Sequence, residues 1–445
     1  MEGAGVPVDR ASSADLAMRA IDTGGTVPMQ FAAGLVLGPG CTPDDALGAV
    51  VAERLGRVPR LRQRLVGAPP GAGRPVWVDD PHPSTAAHVS VLRCPPPGDE
   101  QALLDLAAEL VSTRLPADRP RWSATVVRGL PEGRTGVVVV LSHVLVDGVG
   151  GLALLASVVD GAGAPEPRAP RPRPSYRRLV AEAWGVRVRC LTRWRSGLSA
   201  VRDALRAGGG LHAPRAAPCS LLAPTGPHRR AAVVRVGLEA LRRAAHRAGG
   251  TVNDALLVAV AGALGALLEG RGETVDPLAV TVVVSGRRSA AGSDLGNANT
   301  PLVVAVPVVG DPAERLRRFA GTVRAARAAA TAPPLIALFG PVFRALAAAG
   351  GYSWFLAHQR RFHTLVSNVP GPDGRLTLAG RTVEAILPVA AGEAGNVTVS
   401  FDALSYAGTL AVTVMADRDR VPDLPVLTAA LRAQFAALVE PAPVG

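Results

Sequence analysis

Lysine is absent from the 445 residues, so all 48 basic side chains are arginines and the formal charge of +12 rests on guanidinium groups alone. Such uniformity reflects coding bias rather than a surface selected for nucleic acid. Aromatic residues make up only 4% of the chain. They do not alternate with the arginines of RVRCLTRWRSGLSAVRDALR (Arg187 to Arg206) as a base-stacking surface requires. Nucleic acid is therefore not expected as a partner. Hydrophobic residues reach 48% with few rings among them, so the core has to be built from Ala, Val and Leu.

Cysteine is sparse as well. Cys41, Cys94, Cys190 and Cys219 lie far apart, without CxxC or Cys/His spacing, and no metal site is expected. The opening MEGAGVPVDR shows no basic segment followed by an apolar one, so the expectation is a cytoplasmic protein with reduced thiols. Uninterrupted membrane-length runs are lacking too. The longest apolar stretch, Gly136 to Val159, carries His143 and Asp147 in its middle, where lipid would make a charge costly. Thr251 to Leu268 has Asn253 and Asp254 near its start, and neither stretch is expected to span a bilayer.

What is present is an alternation of strand and helix patterns over a length that suits two domains of roughly 200 residues each. Residues 44 to 66 read as one helix ending in RLRQRL, with short strands at PVWVDD and HVSVLRC. The leucine spacing of Asp99 to Leu115 predicts a helix with an acidic first turn. WSATVVRGL and RTGVVVVLSHVLV read as neighbouring strands joined by a turn at Pro131 to Gly133. A proline- and arginine-dense connector follows from Gly161.

Further on, Thr251 or Asn253 can cap an apolar helix. LAVTVVVSGRR, PLVVAVPVVG and HTLVSNVPGPDG read as strands, DPAERLRRFAGTVRAARAA as a helix, and GNVTVSFDALSYAGTLAVTVMADRD as a hairpin before a last helix. The expected division is an N-terminal domain over 1–160, a connector and crossover helix over 161–215, and a C-terminal domain over 216–445. Trp77 and Trp122 are expected as core anchors.

The stretch LSHVLVDGVGG, Leu141 to Gly151, is the chemically suggestive one. Neighbouring residues on a strand face opposite ways, which argues against a Ser142–His143 nucleophile pair. A neutral imidazole at His143 can take a proton and return it to a leaving group. Asp147 lies where Gly148, Gly150 and Gly151 let the backbone bend. The competing reading makes His143 a satisfied core histidine and Asp147 a helix N-cap, and spacing alone leaves both open.

At these residues the chain resembles the bacterial wax ester synthase/diacylglycerol acyltransferase family, whose signature is HHxxxDG. PVWVDD with His88 following, LPADRPRWSATVVRGLPEGR, GPHRR, GGTVNDALLVAVAGAL, VVSGRR, LGNANTPLVVAVPV, VSNVPGP and LSYAGTLAVTVMADRDRVPD resemble successive blocks of that family, from about residue 15 to about residue 440. The resemblance implies an α/β fold of two chloramphenicol acetyltransferase-like domains with mixed sheets and an interdomain active-site tunnel. It further implies acyl-CoA as donor, an alcohol as acceptor, no permanently bound cofactor, and His143 as general base. Ser142 stands where the family usually has its first histidine, which leaves substrate preference less secure.

Around that centre, Asn299, Ser367 and Asn368 are candidates for substrate or oxyanion contacts, since an amide donates without carrying charge. Each can equally hold a turn. Asn253 and Asp254 are assigned to helix capping or interdomain support, and Arg287 or Arg288 to a pairing with Asp147. Two other functions stand beside ester synthesis: a specialised acyltransferase with a secondary-metabolite acceptor, and a non-catalytic acyl- or lipid-binding protein. The Arg187 to Arg206 segment, with Leu191, Trp194, Leu198 and Leu205, either packs on the first domain or rests on a membrane or lipid droplet.

Overall fold

The computed structural model describes residues 8–24, 27–81, 83–161, 172–192, 215–285, 299–329, 350–392 and 395–440. Its strands in chain order are β1 (Gln30–Leu37), β2 (Gln63–Val66), β3 (Val76–Asp79), β4 (Val89–Arg93), β5 (Trp122–Arg128), β6 (Thr135–Ser142) and β7 (Arg229–Gly237). The remainder are β8 (Leu278–Ser285), β9 (Asn299–Val306), β10 (Thr364–Pro370), β11 (Thr377–Leu378), β12 (Arg381–Ala390), β13 (Val399–Tyr406) and β14 (Thr409–Asp417).

They form two six-stranded sheets, ordered β11-β12-β1-β6-β5-β4 and β7-β14-β13-β10-β8-β9, beside a small β2-β3 hairpin. Both large sheets are mixed: β4 runs parallel to β5, and β10 runs parallel to both β13 and β8. The architecture is thus two α/β units with mixed sheets.

The unbroken valines of β6 follow from burial on both faces. Val137 and Val139 point into the core beneath the helices Asp44–Arg57 and Gly148–Ala156, while Val138 and Val140 meet the helix Glu100–Ser112. Each such valine contributes roughly 2 kcal/mol of apolar burial. Trp77 and Trp122 are buried in the same unit, and the Trp122 indole N–H donates to the Leu61 carbonyl at 2.8 Å.

The helix Val252–Gly270 is the one described helix long and apolar enough to cross a membrane, and most of it is buried within the fold. It shares one core with the second sheet and packs against the helices Leu424–Val439, Leu238–Arg247 and Pro312–Phe319, which accounts for residues that are apolar all round. Thr251 caps it: its hydroxyl accepts the Asp254 N–H at 3.2 Å, and the Asp254 carboxylate accepts the Thr251 N–H at 2.9 Å.

Two elements differ from expectation. The helix expected over 44 to 66 ends at Arg57, because Pro59 holds Val58 extended; a 3-10 turn Pro59–Arg62 and then β2 follow. The helix expected from Asp311 onward is two, Pro312–Phe319 and Thr322–Ala329, separated where Gly321 adopts φ 82°.

The first sheet also takes strands from late in the chain. β12 pairs antiparallel with β1, Phe31 opposite Ala390, so the segment 377–390 completes the N-terminal unit from within the span assigned to the C-terminal domain. Asp160 secures that crossover, accepting the Ala379 and Gly380 N–H groups at 3.0 and 2.8 Å and Arg54 Nη2 at 2.7 Å. Desolvation opposes its charge, yet these hydrogen bonds hold its carboxyl at about 2.

Candidate active site

β6 ends at Ser142, where the chain turns into a short loop. The Ser142 carbonyl accepts the Leu145 N–H at 2.9 Å, and its hydroxyl accepts the Val144 N–H at 3.3 Å. Ser142 is buried, and these bonds shape the bend rather than present a nucleophile. His143 is the next residue, and its N–H donates to the Met29 carbonyl at 2.9 Å.

Asp147 is buried and caps the helix Gly148–Ala156, its Oδ1 accepting the Gly150 N–H at 2.8 Å. The capping reading therefore holds for Asp147, and it fixes the carboxylate close to His143. The half-buried imidazole lies against the Phe31 ring, with centroids 4.6 Å apart and planes tilted by 47°. Desolvation lowers its pKa to about 4, against the opposing charge of Asp147. The ring is consequently neutral near pH 7 and has a nitrogen able to accept a proton.

Gly148 brings this loop to the second sheet: a Cβ there would meet Val369 Cγ2 of β10 at 3.4 Å. On the same strand Asn368 donates from Nδ2 to Asn253 Oδ1 at 3.3 Å, joining β10 to the first turn of the Val252–Gly270 helix. Ser367 precedes it, opposite Asp402 of β13. β8 and β10 are paired only as far as Val282 and Val366, short of Ser367 and Asn368.

Asn299 opens β9 with its backbone opposite Ser285. The structure thus joins Asn253 to Asn368, and Asp254 closes the Thr251 cap through its Oδ2. Arg287 and Arg288 lie outside the described residues. Among the described residues no group of three or more His, Cys, Asp or Glu side chains is arranged to hold a metal ion.

Sequence reasoning missed Asp22, Met29 and Phe31, and read Gly151 only as a place where the backbone bends. The Asp22 carboxylate accepts the Met29 N–H at 3.0 Å and is paired with Arg114 and Arg121. Only the pairing of β1 with β6 brings Met29 and Phe31 to His143, and no local pattern announces that pairing.

A wax ester synthase/diacylglycerol acyltransferase from Marinobacter aquaeolei VT8 has the same fold, with a TM-score of 0.68 at 20% identity, over 97% of this chain and 98% of that one. The starter condensation domain of rhizomide synthetase, solved with C8-CoA, matches with a TM-score of 0.62 at 13% identity, over 97% and 95% of the two chains. Two α/β units with mixed sheets are the architecture that this chain shares with both structures.

Residues 12–256 match the wax ester synthase/diacylglycerol acyltransferase catalytic domain, and residues 295–439 match the C-terminal domain of the same family. A probable diacylglycerol O-acyltransferase of Mycobacterium tuberculosis H37Rv is 30% identical over 424 residues, 90% of this chain and 89% of its relative. The chain belongs to the wax ester synthase/diacylglycerol acyltransferase family.

Proposed function

We propose that the protein moves an acyl group from acyl-CoA to an alcohol, with His143 as general base. The imidazole takes the hydroxyl proton as oxygen attacks the thioester carbonyl, and the C–S bond breaks. The proton then passes to the departing CoA thiolate, leaving an ester and free CoA. No acyl-enzyme is required when donor and acceptor are held side by side. Wax esters and triacylglycerols are the products this family membership favours.

The observation that carries this reading is the neutral His143 imidazole on a capped loop that reaches the second sheet at Gly148 and Val369. Asn368, held by Asn253, is the amide best supported as the donor for the developing oxyanion. Asp147 acts by fixing the loop. A thiol-release assay over acyl-CoAs and a mixed alcohol panel, with products identified by mass, tests the reading. Acceptor-dependent release that vanishes in His143→Ala supports it; no release from wild type sinks it and favours acyl or lipid binding, while a product formed only with a polar secondary metabolite redirects the acceptor.

Peripheral lipid contact is supported at the helix Tyr176–Thr192. Tyr176, Trp184, Val186 and Val188 are exposed, Arg187 lies over the Trp184 ring at 5.3 Å, and Leu179 and Ala183 face the protein. Trp194, Leu198 and Leu205 lie outside the described residues. Flotation with anionic vesicles at low salt, lost in a Trp184→Glu/Val188→Glu variant, is the expected outcome; equal flotation of the variant removes this helix as the contact.

A further inference from the structure

The half-buried Phe31 sits at the start of β1, opposite Leu141 on β6 and Ala390 on β12, with its ring 4.6 Å from the His143 imidazole. A second neighbour comes from the motif helix. A Cβ at Gly151 would lie 2.5 Å from Phe31 Cε2 and 2.7 Å from Cζ, so the volume of a methyl at residue 151 is already filled by the ring. Gly151 is not among the glycines with positive φ. Its lack of a side chain is therefore explained by the ring it admits rather than by backbone strain.

We infer that Phe31, admitted by Gly151, is a positioning residue that sets the orientation of the His143 imidazole. The inference rests on the reading of His143 as base. Rotation of an imidazole about its Cβ–Cγ bond decides which nitrogen faces the acceptor hydroxyl, and the backbone hydrogen bond from the His143 N–H to the Met29 carbonyl does not act on the ring. A ring packed against the imidazole restricts it. The same ring displaces water from one side of His143, in keeping with a base held neutral by desolvation. Any side chain at residue 151 forces the Phe31 ring to shift, and the imidazole shifts with its neighbour.

The test compares wild type, Gly151→Ala, Phe31→Leu, the double variant and His143→Ala by acceptor-dependent thiol release, thermal melting and the imidazole ¹H–¹³C signals of His143. Gly151→Ala is expected to lower kcat about ten- to hundredfold with KM little changed, because a misplacement of about an ångström has that cost. Phe31→Leu removes the ring-current shift at His143 and lowers kcat by itself. Leucine leaves room for the methyl, so the double variant is expected to be no slower than Phe31→Leu, the non-additivity that a shared contact produces.

Gly151→Ala with wild-type kcat and unshifted His143 signals overturns the inference. So does a Gly151→Ala loss of equal size with and without Phe31, which assigns the defect to general packing. Activity retained in His143→Ala overturns the base assignment and the positioning role with it. Loss in His143→Ala beside an unaffected Gly151→Ala overturns the positioning role alone.

Discussion

Asp22 governs the backbone of His143 through Met29: its carboxylate accepts the Met29 N–H at 3.0 Å, and the Met29 carbonyl accepts the His143 N–H at 2.9 Å. Asp22 is itself buried and paired with Arg114 and Arg121. The helix Ser13–Gly24 is thereby tied, through Met29, to the loop that carries His143.

Asp22→Asn is expected to weaken both arginine pairings and to cost about 2 kcal/mol, since hydrogen bonds to charged groups carry that weight. kcat falls with it, because the Met29 carbonyl loses its fixed position. Chemical denaturation and steady-state kinetics check the two parts. Asp22→Asn with wild-type kcat at a temperature where it is fully folded removes the link to His143.

The acid limb of kcat/KM is expected to lie near pH 4 rather than near 6.5, because desolvation lowers the His143 pKa to about 4. The imidazole is neutral, and therefore basic, above that value. The linkage to stability has the corresponding sign. An unfolded histidine binds its proton near pH 6.5, so the His143 contribution is fully present above 6.5 and is lost as pH falls toward about 4. A pH–rate profile with its midpoint at 6.5 contradicts the burial argument, and His143→Gln removes the acid-labile part of the melting curve.

Asp147→Ala removes the acceptor for the Gly150 N–H at the start of the motif helix. Loss of such a cap costs about 1 kcal/mol. The larger effect is on kcat, since His143 is separated from the cap by three residues of loop. Asn at the same position keeps a capping oxygen, so Asp147→Asn is expected to recover much of the stability. Melting temperatures and kcat of the two variants, measured together, separate capping from charge.

Gly371→Ala is expected to be among the most damaging small changes. Its Cβ would fall 2.1 Å from the Ser405 carbonyl oxygen, a backbone atom of β13 that cannot rotate away. Relief requires β10 and β13 to separate just beyond Asn368, at a cost of roughly 3 kcal/mol. A variant with an unchanged melting temperature contradicts that packing.

Much of this was legible in the chain. The valine run announced the strand β6, and the helix N-cap was one of the two readings that the spacing left open for Asp147. Thr251 was legible as one of two candidate caps, with Asn253, because capping depends on residues a few positions apart, and the structure selects Thr251 paired with Asp254. The helix expected through residue 66 failed at Pro59, a local signal that the arginine and leucine pattern of RLRQRL overrode.

The sequence by itself determined the alternation of strands and helices, the motif around His143 and the family, because periodicity, capping and block order are written in neighbouring residues. Tertiary structure decided the rest. That β12 completes the first sheet, that Asn253 meets Asn368, and that Phe31 and the Met29 carbonyl held by Asp22 meet His143 all depend on contacts across long stretches of chain. Pairing of that kind is chosen by the fit of whole surfaces, and no residue involved carries a local mark of its partner.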